Sequence, residues 1–236
     1  MALMALASWP VFSVSSYKMV RSLVQQEIKP MTVIDVGANV GQFAIAAANL
    51  FAGARVYSFE PLPACFERLV KNVGKFPQVT AVQAALGETT GSVQLRVNSH
   101  SHSSSLLPLA DAHRAAFPGA VELQRINVKQ TTLDEALDGV ELESPVLLKL
   151  DVQGYEAKTL RGGAELLKRV QWVVAEASLK PMYEGETLFM ELARMMENSG
   201  FFFLRPVGFL PHPQTAEILQ VDALFGRRGI ERKAAS

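Results

Sequence analysis

The sequence predicts a single doubly wound α/β domain built on a mostly parallel sheet. Short apolar runs alternate with helical patterns from residue 32 almost to the end of the chain, and this rhythm is typical of a parallel sheet covered on both faces. The chain has 236 residues, which suits one sizeable domain better than two. Apolar residues make up 49% and charged residues 19%, so the chain can bury a core and is not intrinsically disordered.

The order of the elements follows from these runs. The first half predicts strands over 32–36, 55–60 and 79–84, with helices over 41–51 and 64–75 between them. The second half predicts strands over 146–151 and 172–177, helices over 156–169 and 186–199, and a closing antiparallel hairpin of 201–204 with 219–225. Seven strands are therefore expected in the sheet, of which the strand near 219–225 is antiparallel.

The middle of the chain is less regular. Residues 92–98 and 122–128 alternate between apolar and polar side chains, as edge strands do. Between them, the Ser/His stretch 99–105 is expected to be a polar loop, and His113 an exposed helix residue. Thr132 and Glu135 form a capping box that opens a short helix.

The ends of the chain predict an N-terminal extension over 1–30 with a helix, a domain over 31–226, and a flexible tail over 227–236. Residues 1–14 are mildly apolar, but no basic residue precedes them, unlike a signal peptide. No run of 18 apolar residues exists, so no spanning helix is expected. The single cysteine, Cys65, fits a reducing compartment, and a cytoplasmic protein is the default expectation.

The charge balance argues against a nucleic-acid partner. Lys plus Arg and Asp plus Glu both total 23, so the formal net charge is zero. The basic residues are scattered rather than clustered on one stripe, as a phosphate backbone would require. A small molecule or a saccharide is the expected partner, and the sequence does not predict an oligomeric state.

A glycine-rich turn follows the first predicted strand. In Asp35-Val-Gly-Ala-Asn-Val-Gly41, the glycines allow the backbone to approach a ligand at the carboxyl ends of parallel strands. A dinucleotide fingerprint needs three glycines spaced G-x-G-x-x-G, but Asn39 and Gln42 occupy two of those positions. Asp35 would repel a pyrophosphate and suits a cation instead. The pattern D-x-G-x-x-x-G is typical of enzymes that use S-adenosylmethionine, which carries a sulfonium and an ammonium.

A second carboxylate, Glu60, ends the second predicted strand 23 residues after Gly37. An acid at this place can accept hydrogen bonds from both ribose hydroxyls of an adenosine. Enzymes that bind NAD also carry an acid there, so Glu60 alone does not discriminate between the two cofactors. Its separation from the turn nevertheless favours an adenosine site over ordinary turn chemistry.

With these features the chain resembles the FkbM-type methyltransferases over about residues 30–226. The segments that carry the resemblance are Val33-Ile-Asp-Val-Gly-Ala-Asn-Val-Gly-Gln-Phe43, Val56-Tyr-Ser-Phe-Glu-Pro61, Ala84-Ala-Leu-Gly87, Ser104-Ser-Leu106, Leu148-Lys-Leu-Asp-Val-Gln-Gly-Tyr-Glu156 and Val174-Ala-Glu176. The family usually has an acid where this chain has Gln153. Its members are S-adenosylmethionine-dependent and mostly O-methylate sugars, polyketides or related products.

The resemblance implies a Rossmann-like class I methyltransferase fold and a set of cofactor contacts. Gly37, Ala38, Asn39 and Gly41 would approach the methionine part, and Asp35 would support its ammonium directly or through water. Glu60 with Pro61 would hold the ribose, and Ala85 and Leu86 would flank the adenine. The expected function is O-methylation of a small molecule or saccharide. An NAD-dependent oxidoreductase and a non-catalytic nucleotide-binding module of the same fold are the alternatives.

Three charged residues near the ends of the fourth and fifth main strands are the catalytic candidates. Asp151 ends one strand and Glu176 the next, so both are expected in the ligand cleft. Lys149 shares a face with Asp151 and could neutralise one of the acids. Either Asp151 is a general base, or Asp151 and Glu176 share a Mg²⁺ ion that lowers the hydroxyl pKa. A third interpretation is structural, with Glu156 capping its helix and Glu176 paired with Lys149.

Overall fold

The architecture is that of two sheets, one large and one small. A computed structural model describes residues 9–228. Ten strands are present: β1 (Thr32–Val36), β2 (Arg55–Phe59), β3 (Val79–Val82), β4 (Ala85–Leu86), β5 (Gly91–Asn98), β6 (Glu122–Thr131), β7 (Val146–Leu150), β8 (Trp172–Ser178), β9 (Phe201–Pro211) and β10 (Ile218–Arg227). Seven of them form the large sheet in the order β3-β2-β1-β7-β8-β10-β9, and β4, β6 and β5 form the small one.

The large sheet has one reversed strand. The pairs β1–β2, β1–β7, β2–β3 and β7–β8 are parallel, whereas β10 is antiparallel to both β8 and β9. This confirms the predicted doubly wound sheet with one antiparallel strand near 219–225. In the parallel part, β1 lies at the centre with β2 on one side and β7 on the other. The ends of β2 and β7, which Glu60 and Asp151 follow, therefore flank the glycine-rich turn after β1.

Helices cover both faces of the large sheet. They are α1 (Val14–Gln25), α2 (Gln42–Leu50), α3 (Pro63–Val73), α4 (Asp111–Ala116), α5 (Leu133–Ala136), α6 (Glu156–Arg161), α7 (Ala164–Leu167) and α8 (Phe189–Asn198), with one 3₁₀ turn at Ser101–Ser103. Successive residues of β1 point to opposite faces, so Val33 packs into the apolar cluster beneath α1 and α2, and Ile34 into the one beneath α6, α7 and α8.

The predicted single helix over 156–169 is wrong, because the structure divides it into α6 and α7. The break falls at Gly162 and Gly163. A Cβ atom at Gly162 would overlap the carbonyl group of Gly87, and one at Gly163 would lie 2.8 Å from the side chain of Leu133. Close packing against neighbouring segments therefore decides the break, which helical periodicity alone cannot detect.

The small sheet corrects another boundary. The predicted strand 79–84 ends at Val82, and Ala85 with Leu86 pairs instead with Gln130 and Thr131 in the small sheet. The two alternating segments of the middle region pair with each other antiparallel, as β5 and β6. The capping box is confirmed, since the Thr132 hydroxyl accepts a hydrogen bond from the Glu135 amide at 3.1 Å.

Parts of the terminal predictions lie outside the described residues, namely 1–8 of the N-terminal extension and 229–236 of the tail. Within the extension, Ser13 caps α1, which buries Met19, Val20 and Leu23. Arg227 belongs to β10 rather than to a tail. Between residues 9 and 228, no helix combines the length and the apolar character needed to cross a membrane.

Candidate functional site

The carboxyl ends of the parallel strands open onto a cavity of about 330 Å³. Its lining includes most of the residues that the sequence singles out, among them Gly37, Asn39, Glu60, Pro61, Ala85, Leu86, Asp151 and Glu176. A second cavity of about 220 Å³ lies between α1, β9 and β10. The two cavities share Asp151 and Glu176, so these acids stand at the boundary between them.

The turn after β1 is held by backbone contacts. The amides of Gly37 and Ala38 donate to the carbonyl oxygen of Phe59, each at 3.0 Å. Gly37 has φ +79°, and a Cβ atom there would overlap the carbonyl oxygen of Asp151. Gly41 also has positive φ, at +94°. Glycine at position 37 is therefore required by the close approach of β1 and β7 as well as by the conformation of the turn.

Glu60 joins this turn to the cavity. Its two carboxylate oxygens accept hydrogen bonds from the amides of Asn39 and Leu62, both at 2.8 Å. The side chain is buried, and burial raises its pKa to about 7. Each carboxylate oxygen has a second lone pair, so Glu60 can still accept hydrogen bonds from two hydroxyl groups of a ligand. The sequence places this residue correctly at the cavity wall.

Asp35 is expected to support a ligand ammonium directly or through water, and because it lines neither cavity, the route through water is the one that stays a prediction. It is fully buried, and the Lys149 ammonium lies 3.3 Å from its Oδ1 atom. The pairing of β1 with β7 places the two residues directly opposite each other. The cation that pairs with the Asp35 carboxylate is therefore the ammonium of Lys149.

Lys149 serves two carboxylates. Its Nζ atom lies 3.3 Å from Asp35 Oδ1 and also 3.3 Å from Asp151 Oδ2. Burial on its own would lower the pKa of Lys149, but the carboxylates of Asp151 and Asp35 outweigh burial and hold that pKa above its ordinary value. Lys149 is thus a fixed positive charge between two acids. The structural alternative that paired it with Glu176 is wrong, because no such ion pair forms among the described residues.

Gln153 links the two acids at the cavity boundary. Its Nε2 atom donates to Asp151 Oδ1 at 2.7 Å and to Glu176 Oε2 at 2.8 Å. Its Oε1 atom accepts a hydrogen bond from the hydroxyl of Tyr183. Burial, followed by the nearby charges of Asp151 and Glu156, raises the pKa of Glu176 well above its usual range. Asp151 and Glu176 are therefore brought together as expected, with an amide group between them.

The donor set does not fit the predicted Mg²⁺ site. Within residues 9–228, no group of three or more histidine, cysteine, aspartate or glutamate side chains is arranged to hold a metal ion. Glu156, the third acid near this edge, lines neither cavity. Its carboxylate instead accepts a hydrogen bond from the amide of Val152 at 2.9 Å, which closes the turn before α6. The space between the remaining two acids holds N–H groups, which repel a cation.

The far wall of the large cavity is built by the region between β5 and β6. The rings of His100 and His102 stack with centroids 5.7 Å apart, and both line the cavity. His113 lines it as well and is buried, so its predicted exposure is wrong. His113, in α4, packs its ring against that of Tyr183, which follows β8, with the ring centroids 5.6 Å apart.

Sequence reasoning missed two residues of this network. Ser105 donates through its hydroxyl to the backbone carbonyl of Gln153 at 2.6 Å, and Tyr183 holds the Gln153 side chain. Ser105 lies within a segment that carries the resemblance, but Tyr183 follows no motif. Tyr183 could be recognised only after the structure showed it to be buried, because a buried tyrosine hydroxyl usually has a hydrogen-bond partner.

Comparison with known proteins agrees with this geometry. The profile of the methyltransferase FkbM domain matches residues 35–203. The 2-O-methyltransferase NoeI of Sinorhizobium fredii is 28% identical over 179 residues, which is 73% of this chain and 74% of that protein. The hexuronic acid methyltransferase AglP of Haloferax volcanii is 27% identical over 158 residues, 66% of this chain and 60% of that protein.

Among solved structures, the N-terminal domain of EvdMO1 with S-adenosylhomocysteine bound superposes with a TM-score of 0.50. The identity is 13%, and the match covers 91% of this chain and 82% of that one, so this likeness concerns the fold alone. Together with the strand order of the large sheet, it confirms the class I methyltransferase fold. The chain belongs to the FkbM family of methyltransferases.

Proposed function

We propose that this protein transfers the methyl group of S-adenosylmethionine to a hydroxyl group of a saccharide or another small molecule. The observation that carries the proposal is the shared cavity, which Glu60 and Asp151 both line from the ends of β2 and β7, on either side of β1. Glu60 suits an adenosine diol, and Asp151 suits an acceptor hydroxyl. The family assignment supports the reaction type.

The cofactor contacts follow from the cavity lining. Glu60 would accept from the two ribose hydroxyls, and charge-assisted hydrogen bonds of this kind contribute about 1.5–3 kcal/mol. Pro61, Ala85 and Leu86 line the same cavity and offer apolar surface for the adenine. Gly37 and Asn39, which line the cavity, would approach the methionine part by their backbone, whereas Ala38 and Gly41 shape the turn without lining the cavity. When bound, S-adenosylmethionine supplies an electrophilic methyl group on a sulfonium sulfur.

Asp151 is the proposed general base. Its side chain is 36% exposed and faces both cavities. Lys149 donates to one of its carboxylate oxygens and Gln153 to the other. Asp151 would take the hydroxyl proton of the acceptor as its oxygen receives the methyl group that S-adenosylmethionine would supply. Alignment of the reacting atoms lowers the barrier by about 7–11 kcal/mol in such reactions.

A saccharide acceptor is supported by the named relatives and by the chemistry of the walls. NoeI is named as a 2-O-methyltransferase and AglP as a hexuronic acid methyltransferase. Imidazole and hydroxyl groups on the far wall, from His100, His102 and Ser104, can bond the several hydroxyls of a sugar ring. A hydroxyl acceptor requires a base near the methyl group, and Asp151 lies at the boundary of the two cavities.

The proposal is tested in two steps. Calorimetry with S-adenosylhomocysteine should show one binding site, whereas NADH should show none, which separates this function from an oxidoreductase. Labelled S-adenosylmethionine is then offered with methyl glycosides of neutral hexoses, 6-deoxyhexoses and hexuronic acids. Label in a glycoside supports the function. Tight binding of NADH without binding of S-adenosylhomocysteine would overturn it, and binding without transfer to any glycoside would overturn the saccharide assignment.

A further inference from the structure

The side chain of Gln153 is fixed from three directions. Its backbone has φ +55°, a conformation that few non-glycine residues adopt, and its carbonyl oxygen accepts the Ser105 hydroxyl at 2.6 Å. The next residue, Gly154, packs so closely that a Cβ atom there would lie 3.0 Å from Tyr183 Cβ. Tyr183 in turn holds the Gln153 amide oxygen. These contacts fix the position of the Gln153 amide group.

The chemistry of its neighbours determines which way the amide faces. The amide nitrogen lies 2.7 Å from Asp151 Oδ1 and 2.8 Å from Glu176 Oε2, and it donates one N–H group to each oxygen. The Tyr183 hydroxyl donates to the amide oxygen on the other side. In the reverse orientation the amide oxygen would face two carboxylate oxygens and repel both.

Hydrogen-bond donors and a lysine already lie beside Asp151 and Glu176. Lys149 provides a positive charge 3.3 Å from Asp151 Oδ2. Gln153 provides one N–H group to each acid. Two carboxylates at one site are costly unless a cation or hydrogen-bond donors lie between them. Here the donors come from an amide, in the position where an ion shared by the two acids would lie.

We propose that Gln153 is a positioning residue that joins Asp151 to Glu176 through its amide nitrogen and takes the place of a shared divalent cation. The inference rests on the proposed function, because the group it positions is the base of methyl transfer. Gln153 touches neither reacting atom by this account. Gln153 holds the Oδ1 atom of Asp151, and Lys149 lies beside the Oδ2 atom, so these two donors fix the orientation of the carboxylate.

Two substitutions separate positioning from a structural role. Gln153→Met keeps the length and removes the amide, so kcat should fall about 10²-fold, as misplacement of a catalytic group does. KM for S-adenosylmethionine should stay within about twofold, because the cofactor contacts lie elsewhere. Gln153→Glu puts three carboxylates together, and its activity should be low without a divalent ion and rise with added Mg²⁺ or Mn²⁺. Gln124, exposed on the small sheet, provides matched control substitutions to Met and Glu.

Calorimetry with MnCl₂ tests the same inference without turnover. The wild-type protein saturated with S-adenosylhomocysteine should show no stoichiometric Mn²⁺ binding, and Gln153→Glu should bind one ion. Stoichiometric binding to the wild type would overturn the proposal, since the amide would then present its oxygen to a metal. Loss of wild-type activity in EDTA with recovery in Mg²⁺ would do the same. If the wild type transfers no methyl group, the proposed function fails, while the Mn²⁺ result still decides the role of the amide.

Discussion

The two halves of the large cavity are built in different ways. On the Glu60 side, the hydrogen bonds come from backbone amides. Amides of the turn after β1 donate to the carbonyl oxygen of Phe59, and the amides of Asn39 and Leu62 donate to the Glu60 carboxylate. On the Asp151 side, side chains from several separate segments hold one another, with Lys149, Gln153 and Tyr183 in one network. The first half therefore depends on backbone groups, whereas the second depends on side chains, of which Glu176 and Tyr183 come from segments beyond the turn after β7.

This difference teaches which half tolerates change. A carboxylate held by backbone amides keeps its place when neighbouring side chains are altered. A carboxylate held by other side chains moves when any one of them is lost, because the network has no independent support. We therefore expect substitutions near Asp151 to affect turnover, and substitutions near Glu60 to affect cofactor binding. Four substitutions test the contrast between the halves, from the largest effect to the smallest.

The largest effect is expected from Asp151→Asn, which keeps the shape of the side chain and removes the base. We expect kcat to fall by about 10²-fold or more, the usual range for losing a general base. Affinity for S-adenosylhomocysteine should change by less than about twofold. Transfer assays and calorimetry on the same preparation measure both, with the exposed Asp138→Asn as the control. Near-normal kcat would show that Asp151 is not the base.

On the other side of the cavity, Glu60→Ala should weaken binding of S-adenosylhomocysteine at least about tenfold, because one charged acceptor serves two hydroxyls. Glu67→Ala, on the exposed face of α3, is the matched control. The pKa of Glu60 is raised to about 7, so its ionised fraction grows through neutral pH. Wild-type affinity should consequently increase from about pH 6 to pH 8, and the variant should lose that dependence. Unchanged affinity in Glu60→Ala would refute the ribose contact.

A smaller effect on turnover is expected from Tyr183→Phe, which removes only the hydroxyl that holds the Gln153 amide oxygen. We expect kcat to fall about tenfold, less than for Asp151→Asn, because the amide keeps its two carboxylate contacts. Binding of S-adenosylhomocysteine should not change. If kcat were unaffected, or if cofactor affinity fell instead, the two halves would not be separable in this way.

The smallest effect concerns stability. Burial raises the pKa of Glu156 from 4.5 to about 8, so its protonated form is favoured in the folded protein. That contribution to the free energy of unfolding is present at low pH and is lost as the pH rises through about 8. Glu156→Gln retains an acceptor for the Val152 amide and cannot ionise. Urea unfolding should show the variant gaining about 1 kcal/mol relative to the wild type between pH 7 and pH 9. A constant difference would contradict this.

Much of the fold could be predicted because its signals are local. Apolar runs bounded by glycine and proline placed the parallel strands to within two residues, and the final reversed strand was anticipated. The errors share one cause, which is packing between distant segments. Gly162 lies against Gly87 and breaks a helix, and β4 leaves the large sheet to pair with β6.

The sequence by itself determined the turn after β1, the acid at the end of β2 and the two acids at the ends of β7 and β8. Each of these depends on residue type and on short spacing within a strand–turn–helix unit, which any such sheet brings to the same edge. The tertiary structure alone decided their partners. Asp35 pairs with Lys149 rather than facing a ligand, and Gln153 lies between Asp151 and Glu176. Those contacts depend on strand register and on Tyr183 arriving from a separate segment, and neither is encoded in local spacing.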